Sequence, residues 1–451
     1  MKHCDVLLTY EIKNRELENL CLVKRELENR GYTVLMTNQY EAFFKTPELI
    51  DAKVVVVPAY YRDRAPFYTA SHCVETKKVL NMLWEQIFNA YQEDTTDIIY
   101  SIKEWGRNVV HIAWGNHMWN RLVNEWGVAP NHVFLTGQVT LDYLRDPLKG
   151  YYQSREEVFL KYGIPTNSKV HLFISSLAYA DAGDRVIKNA ANEGDNEGIK
   201  HFAEISVQTR NTLVNWFERI LEENKDDVVI YRPHPEEKEN KALIELMKKQ
   251  PRFRVISELS VKQWILICDN IYSWISTAIA EVYAAGKGCA ILRPVEVPYN
   301  YDIKMYHFAK QINTYEEFKQ EFHKQKQELA IDKNVLNEYY KIREDRYSYE
   351  LVCDAIEKCM NDEHYEIVPP LKNPLLGGMI NGERLKNVIK RWVTKSSLMN
   401  NIYRKDMFKG SRFRELLDDI FYVKEKLEKN NVTEQDISNI TARINKVFEN
   451  A

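Results

Sequence analysis

Four consecutive valines, at positions 54–57, follow Lys53 in the first part of the 451-residue chain. A strand that is apolar at every position is buried on both faces, as in a parallel sheet covered by helices. Short β-branched runs of this kind alternate with helical patterns from residue 4 onwards. The alternation predicts right-handed βαβ units and therefore an α/β fold.

The alternation occurs twice, with a break at Pro147, Gly150, Gly163 and Pro165. We therefore predict two Rossmann-like domains that face each other across a cleft, because open α/β sheets bind ligands at the ends of their strands. In the second domain, strands are expected near 228–231 and 265–269, and a helix at 277–285. The predicted boundaries are 1–150 and 165–335 for the two domains, 336–368 for a helical crossover and 369–451 for a helical tail.

The composition limits the classes of function and of cellular location that we expect for the chain. The 62 basic and 65 acidic residues nearly balance, so no global charge favours nucleic acid. Seven scattered cysteines without a CxxC pair predict a reducing cytoplasm, and neither a signal peptide nor a membrane-spanning stretch is expected. The sequence contains no Walker loop, GxGxxG or HExxH motif, and we predict neither a metal site nor a cofactor.

The sequence Arg232-Pro233-His234-Pro235 follows an apolar strand that begins at Val228. The two prolines fix φ and stiffen the loop, so His234 is presented in a defined direction. Such a histidine can donate to a phosphate oxygen, and Arg232 can pair with a phosphate or with a local carboxylate. The alternative is a turn histidine that caps a nearby backbone group.

A second motif, Ser276-Thr277, precedes an alanine-rich helical pattern. Two hydroxyl residues at this place indicate an N-cap, and a helix N-terminus attracts phosphate. Glu281 lies one turn further along, where its carboxylate would reach a ribose. The alternative is an ordinary cap with Glu281 exposed.

The order of these motifs, followed by Arg293-Pro294, resembles the GT-B glycosyltransferases that use CMP- or CDP-activated donors. That group includes bacterial sialyl- and polysialyltransferases, Kdo transferases of capsule synthesis and CDP-glycerol glycerophosphotransferases. The nearest form is the group of surface carbohydrate biosynthesis proteins. The passage from Gly127 to Asp142 is similar to one that precedes the interdomain linker of these enzymes, although Val139 stands where they have proline.

The resemblance implies a role for each matching residue. His234 and Pro235 would form the donor-phosphate motif with Arg232, Ser276 and Thr277 would add donors to the phosphate, and Glu281 would hold the ribose. Ser175 and Ser176, after the first strand of the second domain, would line the same site. These enzymes use a nucleotide-activated donor as substrate and need no metal-binding DxD motif.

The resemblance also places a general base on the first domain, directly after a strand. In this chain that position falls on Glu85, where relatives often have His-Gly. His111 and His117 are the reserve candidates for the same role. A structural or surface role is the alternative for each of the three.

The tail segment 372–414 is basic and interleaved with aromatic and aliphatic residues such as Trp392. A basic helix with aromatic anchors can lie on an anionic membrane surface. A solvated helical face or a contact within a homo-oligomer is the alternative. We therefore expect a cytoplasmic protein that is peripheral on the inner face of the cell membrane.

Together these features predict a glycosyltransferase, or a polyol-phosphate transferase, with a CMP- or CDP-activated donor. Its acceptor would be a glycan or a lipid-linked glycan in surface polysaccharide, lipopolysaccharide or capsule biosynthesis. Two alternatives stay open: a non-catalytic GT-B-like module that assembles at the membrane, and a UDP-sugar epimerase.

Overall fold

A computed structural model describes residues 1–44, 49–61, 63–181, 196–376, 382–405, 407–408 and 410–450. The chain divides into two compact units. The first comprises Met1–Gln86, Asp97–Val139 and Arg343–Ala451, and the second comprises Ile87–Thr96 and Thr140–Ile342. Each unit contains a Rossmann-like parallel sheet, and a helical tail ends the chain, which confirms the predicted α/β class.

The first unit is built on a parallel sheet in the order β2-β1-β3-β5-β6-β7. The valines at 54–57 are at most 2% exposed, as expected for a strand covered on both faces. The strands are β1 (Lys2–Tyr10), β2 (Val34–Asn38), β3 (Ile50–Val57), β4 (Glu75–Thr76), β5 (Val79–Asn81), β6 (Val110–Ala113) and β7 (Val133–Leu135).

The second unit has a parallel sheet in the order β10-β9-β8-β11-β12-β13. The order reverses between β8 and β11, which is where sheets of this topology bind ligands. The strands are β8 (Val170–Ile174), β9 (Val228–Arg232), β10 (Phe253–Val255), β11 (Asn270–Ser273), β12 (Ala290–Leu292) and β13 (Gln311–Ile312).

Helices join the strands in both units. Those before the tail are α1 (Lys13–Asn29), α2 (Glu41–Phe44), α3 (Ala65–Ala70), α4 (Ala90–Asp94), α5 (Asn116–Asn120), α6 (Val139–Asp142), α7 (Arg155–Tyr162), α8 (Asn196–Glu223), α9 (Lys241–Lys249), α10 (Val261–Ile267), α11 (Ile279–Ala284), α12 (Lys304–His307), α13 (Tyr315–Phe322), α14 (Lys333–Tyr339) and α15 (Ser348–Asn361).

One predicted strand is wrong. Residues 265–267 end a helix, α10, residues 268–269 connect it to the next element, and the strand lies at Asn270–Ser273 instead. Ser260 caps α10 by accepting from the backbone N–H of Gln263 at 3.2 Å. The apolar run continues from the buried helix into the buried strand, so composition alone does not separate the two.

The tail returns to the first unit. It begins with β14 (Leu371–Lys372), which pairs antiparallel with β4. Its helices are α16 (Gly382–Lys395), α17 (Ser397–Arg404), α18 (Arg412–Lys429) and α19 (Glu434–Glu449). Among the described residues, no helix has the length and apolar character needed to cross a membrane.

Candidate functional site

The candidate donor site lies at the carboxyl edge of the second unit's sheet. Strands β9 and β11 flank β8, and both Arg232 and Ser273 are level with Ile174 in the register. Two strand spacings, about 10 Å, therefore separate the strand ends that lead into the loops of His234 and Ser276. The two predicted motifs share one edge, with the loop after β8 between them.

Glu237 holds the His234 loop in place. Its carboxylate accepts from the Tyr231 hydroxyl at 2.8 Å, from the backbone N–H of His234 at 3.0 Å and from that of Leu177 at 3.1 Å. The Ser175 hydroxyl donates to it as well. One carboxylate thus ties the loop after β9 to the loop after β8.

The ring of His234 has a defined proton position. The backbone N–H of Glu236 donates to Nδ1 at 3.2 Å, so Nδ1 carries no proton. Desolvation lowers the pKa of His234, which favours the neutral ring. The single proton of a neutral imidazole must then be on Nε2. The surrounding loop desolvates part of the ring, but the residue as a whole is exposed, and in the described part of the chain Nε2 has no hydrogen-bond partner. Pro235, directly after it, is also exposed.

Two residues predicted at the donor site, one as a phosphate contact and one as a lining residue, form contacts within the fold instead. Arg232 donates to the carbonyls of Ile256 and Glu258, each at 3.3 Å, and of Leu259 at 2.7 Å. It pairs neither with Glu236 nor with Glu237 among the described contacts, contrary to the expectation from sequence. Ser175 is 3% exposed, and its hydroxyl is occupied by Glu237, so it does not line an open site.

The other predicted serine joins the two loops. Ser176 Oγ accepts from the backbone N–H of Ile275 at 3.0 Å, which connects the loop after β8 to the loop after β11. Ser276 Oγ accepts from the N–H of Ala278 at 3.3 Å, and helix α11 begins at Ile279, two residues later than predicted. Ser276 therefore closes a turn before the helix.

Thr277 is the exposed member of the hydroxyl pair. Neither its N–H nor its hydroxyl has a hydrogen-bond partner among the described residues, whereas its carbonyl accepts from Ala280 at 3.1 Å. Both free groups lie on the carboxyl edge that also carries His234. This edge therefore offers uncompensated donors from two loops.

Tyr306 fixes the Ser276 turn and was not expected from the sequence. Its hydroxyl donates to the Ser276 carbonyl and accepts from the Ser276 N–H at 3.1 Å. The guanidinium of Arg293 lies 5.4 Å from the centre of the Tyr306 ring and pairs with buried Asp302 at 2.8 Å. Of the residues that hold the Ser276 turn in this way, only Arg293 belonged to a motif noted in the sequence, Arg293-Pro294.

Glu281 lies one turn beyond Thr277 and is half-buried. Burial raises the pKa of its carboxyl to about 7, although the nearby Lys262 opposes the shift. The cationic Lys262 is itself buried, 4.9 Å from the centre of the Tyr143 ring. The ribose role of Glu281 stays a prediction.

The predicted general base, Glu85, lies after β5 in the first unit. Its side chain is 41% exposed and pairs with Arg15. The turn before it is unusual, because Leu83 has a φ of 49°, a region that residues with a side chain rarely occupy. Asn81 Oδ1 and Gln86 Nε2 bond the backbone of Leu83, each at 3.0 Å, and hold it there. Such strain is typical of functional sites.

Arg15 connects Glu85 to a buried charged cluster. It also pairs with Glu16 at 2.6 Å, and Glu16 accepts from the backbone N–H of Glu11 at 2.7 Å. Complete burial raises the pKa of Glu16 to about 7. Glu11, which is 3% exposed, pairs with Lys426 from tail helix α18. The tail thus closes one side of this sheet edge.

The two reserve histidines differ from each other. His111 is fully buried, with Nδ1 3.1 Å from Asn81 Nδ2 and Nε2 2.9 Å from the Gly106 carbonyl oxygen. Desolvation lowers its pKa to about 4. A neutral ring enclosed in the core has a structural role, which argues against catalysis by His111. His117 is half-buried on α5, after β6.

Other sites are less suited to the predicted chemistry. Within the described ranges, no group of three or more His, Cys, Asp or Glu side chains is arranged to hold a metal ion. A cavity of about 750 Å³ lies at the opposite, amino edge of the second sheet, lined by Arg155, Asp269 and Lys287 among others. It does not include the predicted donor residues.

No protein-family model and no curated protein matches the chain. Similar solved structures include S. aureus MnaA with UDP, which is 14% identical over 80% of this chain and 97% of that chain, with a TM-score of 0.48. The UDP-GlcNAc 2-epimerase of Neisseria meningitidis is 13% identical over 79% and 100%, with a TM-score of 0.45. The wall teichoic acid polymerase TagF is 12% identical over 79% and 88%, with a TM-score of 0.44. We assign no role to any residue of this chain from these similarities.

Proposed function

We propose that the protein is a GT-B glycosyltransferase or polyol-phosphate transferase that takes a CMP- or CDP-activated donor for surface glycan synthesis. One observation carries the proposal. His234 Nε2–H and the free N–H and hydroxyl of Thr277 lie on one carboxyl edge, at the strands around the reversal of sheet order.

These groups suit a leaving nucleotide. As the bond to the donor phosphate breaks, negative charge develops on the phosphate oxygens, and fixed donors aimed at them stabilise it. Glu237 and Tyr306 hold the two loops, so little reorganisation is needed at that moment. The half-buried Glu281 would accept from a ribose hydroxyl.

Glu85 is proposed as the general base. Its carboxylate would take the proton of the acceptor hydroxyl while the acceptor oxygen bonds to the donor. The oxygen attacks either the anomeric carbon, with the nucleotide leaving, or the polyol-linked phosphorus of a CDP-polyol, where the pyrophosphate P–O bond breaks, CMP leaves and a phosphodiester forms. Arg15 would keep Glu85 in position.

The test is nucleotide release from a panel of CMP-, CDP- and UDP-linked donors, with and without glycan acceptors. We expect acceptor-dependent release of CMP, and its loss in His234→Asn. His323→Asn is the matched control, because His323 is an exposed histidine after α13 at the opposite, amino edge, where the neighbouring Phe322 carbonyl accepts from Lys169 at 3.1 Å and from Asn270 at 3.3 Å. Turnover of UDP-sugars without any use of cytidine donors would contradict the donor assignment.

The same assay separates the alternatives. A UDP-sugar epimerase would change the sugar without an acceptor and without releasing the nucleotide. A non-catalytic assembly module would bind donors or acceptors without turnover of any of them. Either result would replace the transferase proposal.

A further inference from the structure

The tail exposes an unusual number of apolar side chains. Large apolar residues at least 42% exposed occur on α16, α17, α18 and the connection between the last two. They are Val388, Ile389, Trp392, Leu398, Met407, Phe408, Phe413, Leu416 and Tyr422. We call this set the tail surface. Exposed apolar groups at this density mark a site of interaction.

The tail surface belongs to an ordered group of helices. Val393 of α16 packs with Leu417, Ile420 and Phe421 of α18, and residues of α17 complete this small core. The helices therefore already have an apolar interior, and the exposed residues are additional to it. Phe408, in the connection between α17 and α18, has a φ of 63°, a region that residues with a side chain rarely occupy.

Positive charge accompanies the tail surface. Between residues 388 and 414 the sequence has eight basic residues and a single acidic one. Lys395, Arg404, Lys405 and Arg412 are exposed, and none of them forms an ion pair with a described residue. The carboxylates of the tail are concentrated later, on the rest of α18 and on α19. The charge is thus segregated to the part of the tail that exposes apolar side chains.

The tail surface is fixed to the first unit. Lys426 pairs with Glu11, and the backbone N–H of Lys13 donates to Asn430 Oδ1 at 2.8 Å. The guanidinium of Arg25 lies 4.1 Å from the centre of the Phe448 ring. A bound tail surface would therefore hold the whole first unit, including Glu85.

We propose that the tail surface docks the protein onto an anionic lipid membrane. Trp392, Leu398, Phe413 and Leu416 would enter the boundary between headgroups and acyl chains, where tryptophan is favoured. Lys395, Arg404, Lys405 and Arg412 would pair with lipid phosphates, each adding attraction to an anionic surface. Charge complementarity favours this occupant over a second copy of the chain, whose identical basic surface would be repelled. The proposal does not depend on the donor chemistry.

The test is co-flotation of the full-length protein with vesicles, without nucleotide. We expect binding to an equal mixture of phosphatidylcholine and phosphatidylglycerol and little binding to phosphatidylcholine alone. Replacing Lys395, Arg404, Lys405 and Arg412 with Gln should weaken partitioning on the order of 600-fold, at about fivefold per charge. Trp392→Ala should weaken it about tenfold through lost apolar burial.

Two matched controls use exposed residues of the second unit. Leu160→Ala removes an apolar side chain that is 82% exposed, and the pair Lys241→Gln and Lys248→Gln removes exposed charges. These variants should partition like the original protein. Equal losses in the control and tail variants, or no binding to anionic vesicles, would overturn the proposal. A dimer in light scattering that Trp392→Ala dissociates, without vesicle binding, would assign the surface to a second copy.

Discussion

The carboxyl edges of the two sheets differ in how their polar groups are paired. In the second unit, His234 and Thr277 present free donors to solvent, and the supporting residues Glu237 and Tyr306 lie behind them. In the first unit, acidic and basic groups neutralise one another around Arg15 and Glu11, and the tail closes the edge through Lys426. An anion requires uncompensated donors, whereas a general base requires a carboxylate held in position. This difference supports the proposal that the second unit binds the donor and the first unit activates the acceptor.

The largest effect is expected where the tail closes the first unit. Lys426→Met leaves buried Glu11 without its cation and should cost about 3 to 4 kcal/mol of unfolding free energy. Adding Glu11→Gln should recover most of this loss, because no unpaired charge is then buried. Lys424→Met is the control, since Lys424 pairs with the exposed Glu428 and donates to Asn400 Oδ1 at 3.4 Å, so its loss leaves no buried charge unpaired. Urea unfolding of the original protein and the three variants measures these free energies. Equal losses of unfolding free energy in Lys426→Met and Lys424→Met would contradict closure of the first unit's sheet edge by Lys426.

Acid should act on the first unit through His111. Because its pKa is lowered from 6.5 to about 4, the unfolded chain binds a proton in that range while the folded chain does not. Stability should therefore fall as the pH drops from about 6.5 to 4, by about 3 kcal/mol from this group, and level off below. His111→Gln should reduce the slope of unfolding free energy against pH by about one proton. An unchanged slope in His111→Gln would show that the ring is not enclosed.

Glu237→Gln tests the support of the open edge. The amide nitrogen would face groups that donate to the carboxylate, such as the Tyr231 hydroxyl, so about 2 kcal/mol of stability should be lost. Nucleotide affinity should fall as well, because the His234 loop loses its anchor. Glu236→Gln is the control, since the Glu236 backbone N–H, which is retained, makes the contact to His234. Thermal melts and nucleotide titration measure the two effects. A Glu237→Gln protein with unchanged stability and unchanged nucleotide affinity would contradict the role of Glu237 as the support of the His234 loop.

The smallest effect is expected at Thr277. Thr277→Val keeps the shape and the backbone N–H but removes the hydroxyl, so nucleotide binding should weaken about fivefold. Stability should not change, because the hydroxyl has no hydrogen-bond partner among the described residues. Ser276→Ala, by contrast, removes a turn contact to Ala278 and should lower stability. A Thr277→Val protein that binds as the original does would remove the hydroxyl from the donor site.

The strand and the loops at the carboxyl edge of the second sheet could be predicted from the sequence because their signals are local. An apolar strand before Arg232-Pro233-His234-Pro235 and a hydroxyl pair before an alanine-rich helix are readable within a few residues. The contacts made by the side chains were not readable, because their partners are distant in the chain. Arg232 bonds the carbonyls of residues 256–259, and Tyr306 reaches back to Ser276.

Contacts between residues distant in the chain also explain which features of the first unit the sequence did not predict. A buried histidine on an apolar strand and a catalytic one have the same sequence signature, so His111 could be recognised as structural only from its contacts with Asn81 and Gly106. The ion pair between Glu11 and Lys426 spans almost the entire chain. No pattern within a short window predicts that the tail folds back on the first strand.

The most direct measurement is calorimetric titration of CMP and CDP into the original protein, His234→Asn and His234→Gln. Asn keeps an acceptor for the Glu236 N–H in the place of Nδ1 but has no donor in the place of Nε2, whereas the Gln amide supplies that donor. We predict that His234→Asn weakens binding about 30-fold and that His234→Gln retains most of the affinity. Cytidine nucleotide binding that is equally tight in all three proteins, or absent from the original, would contradict the assignment of this edge as the donor site.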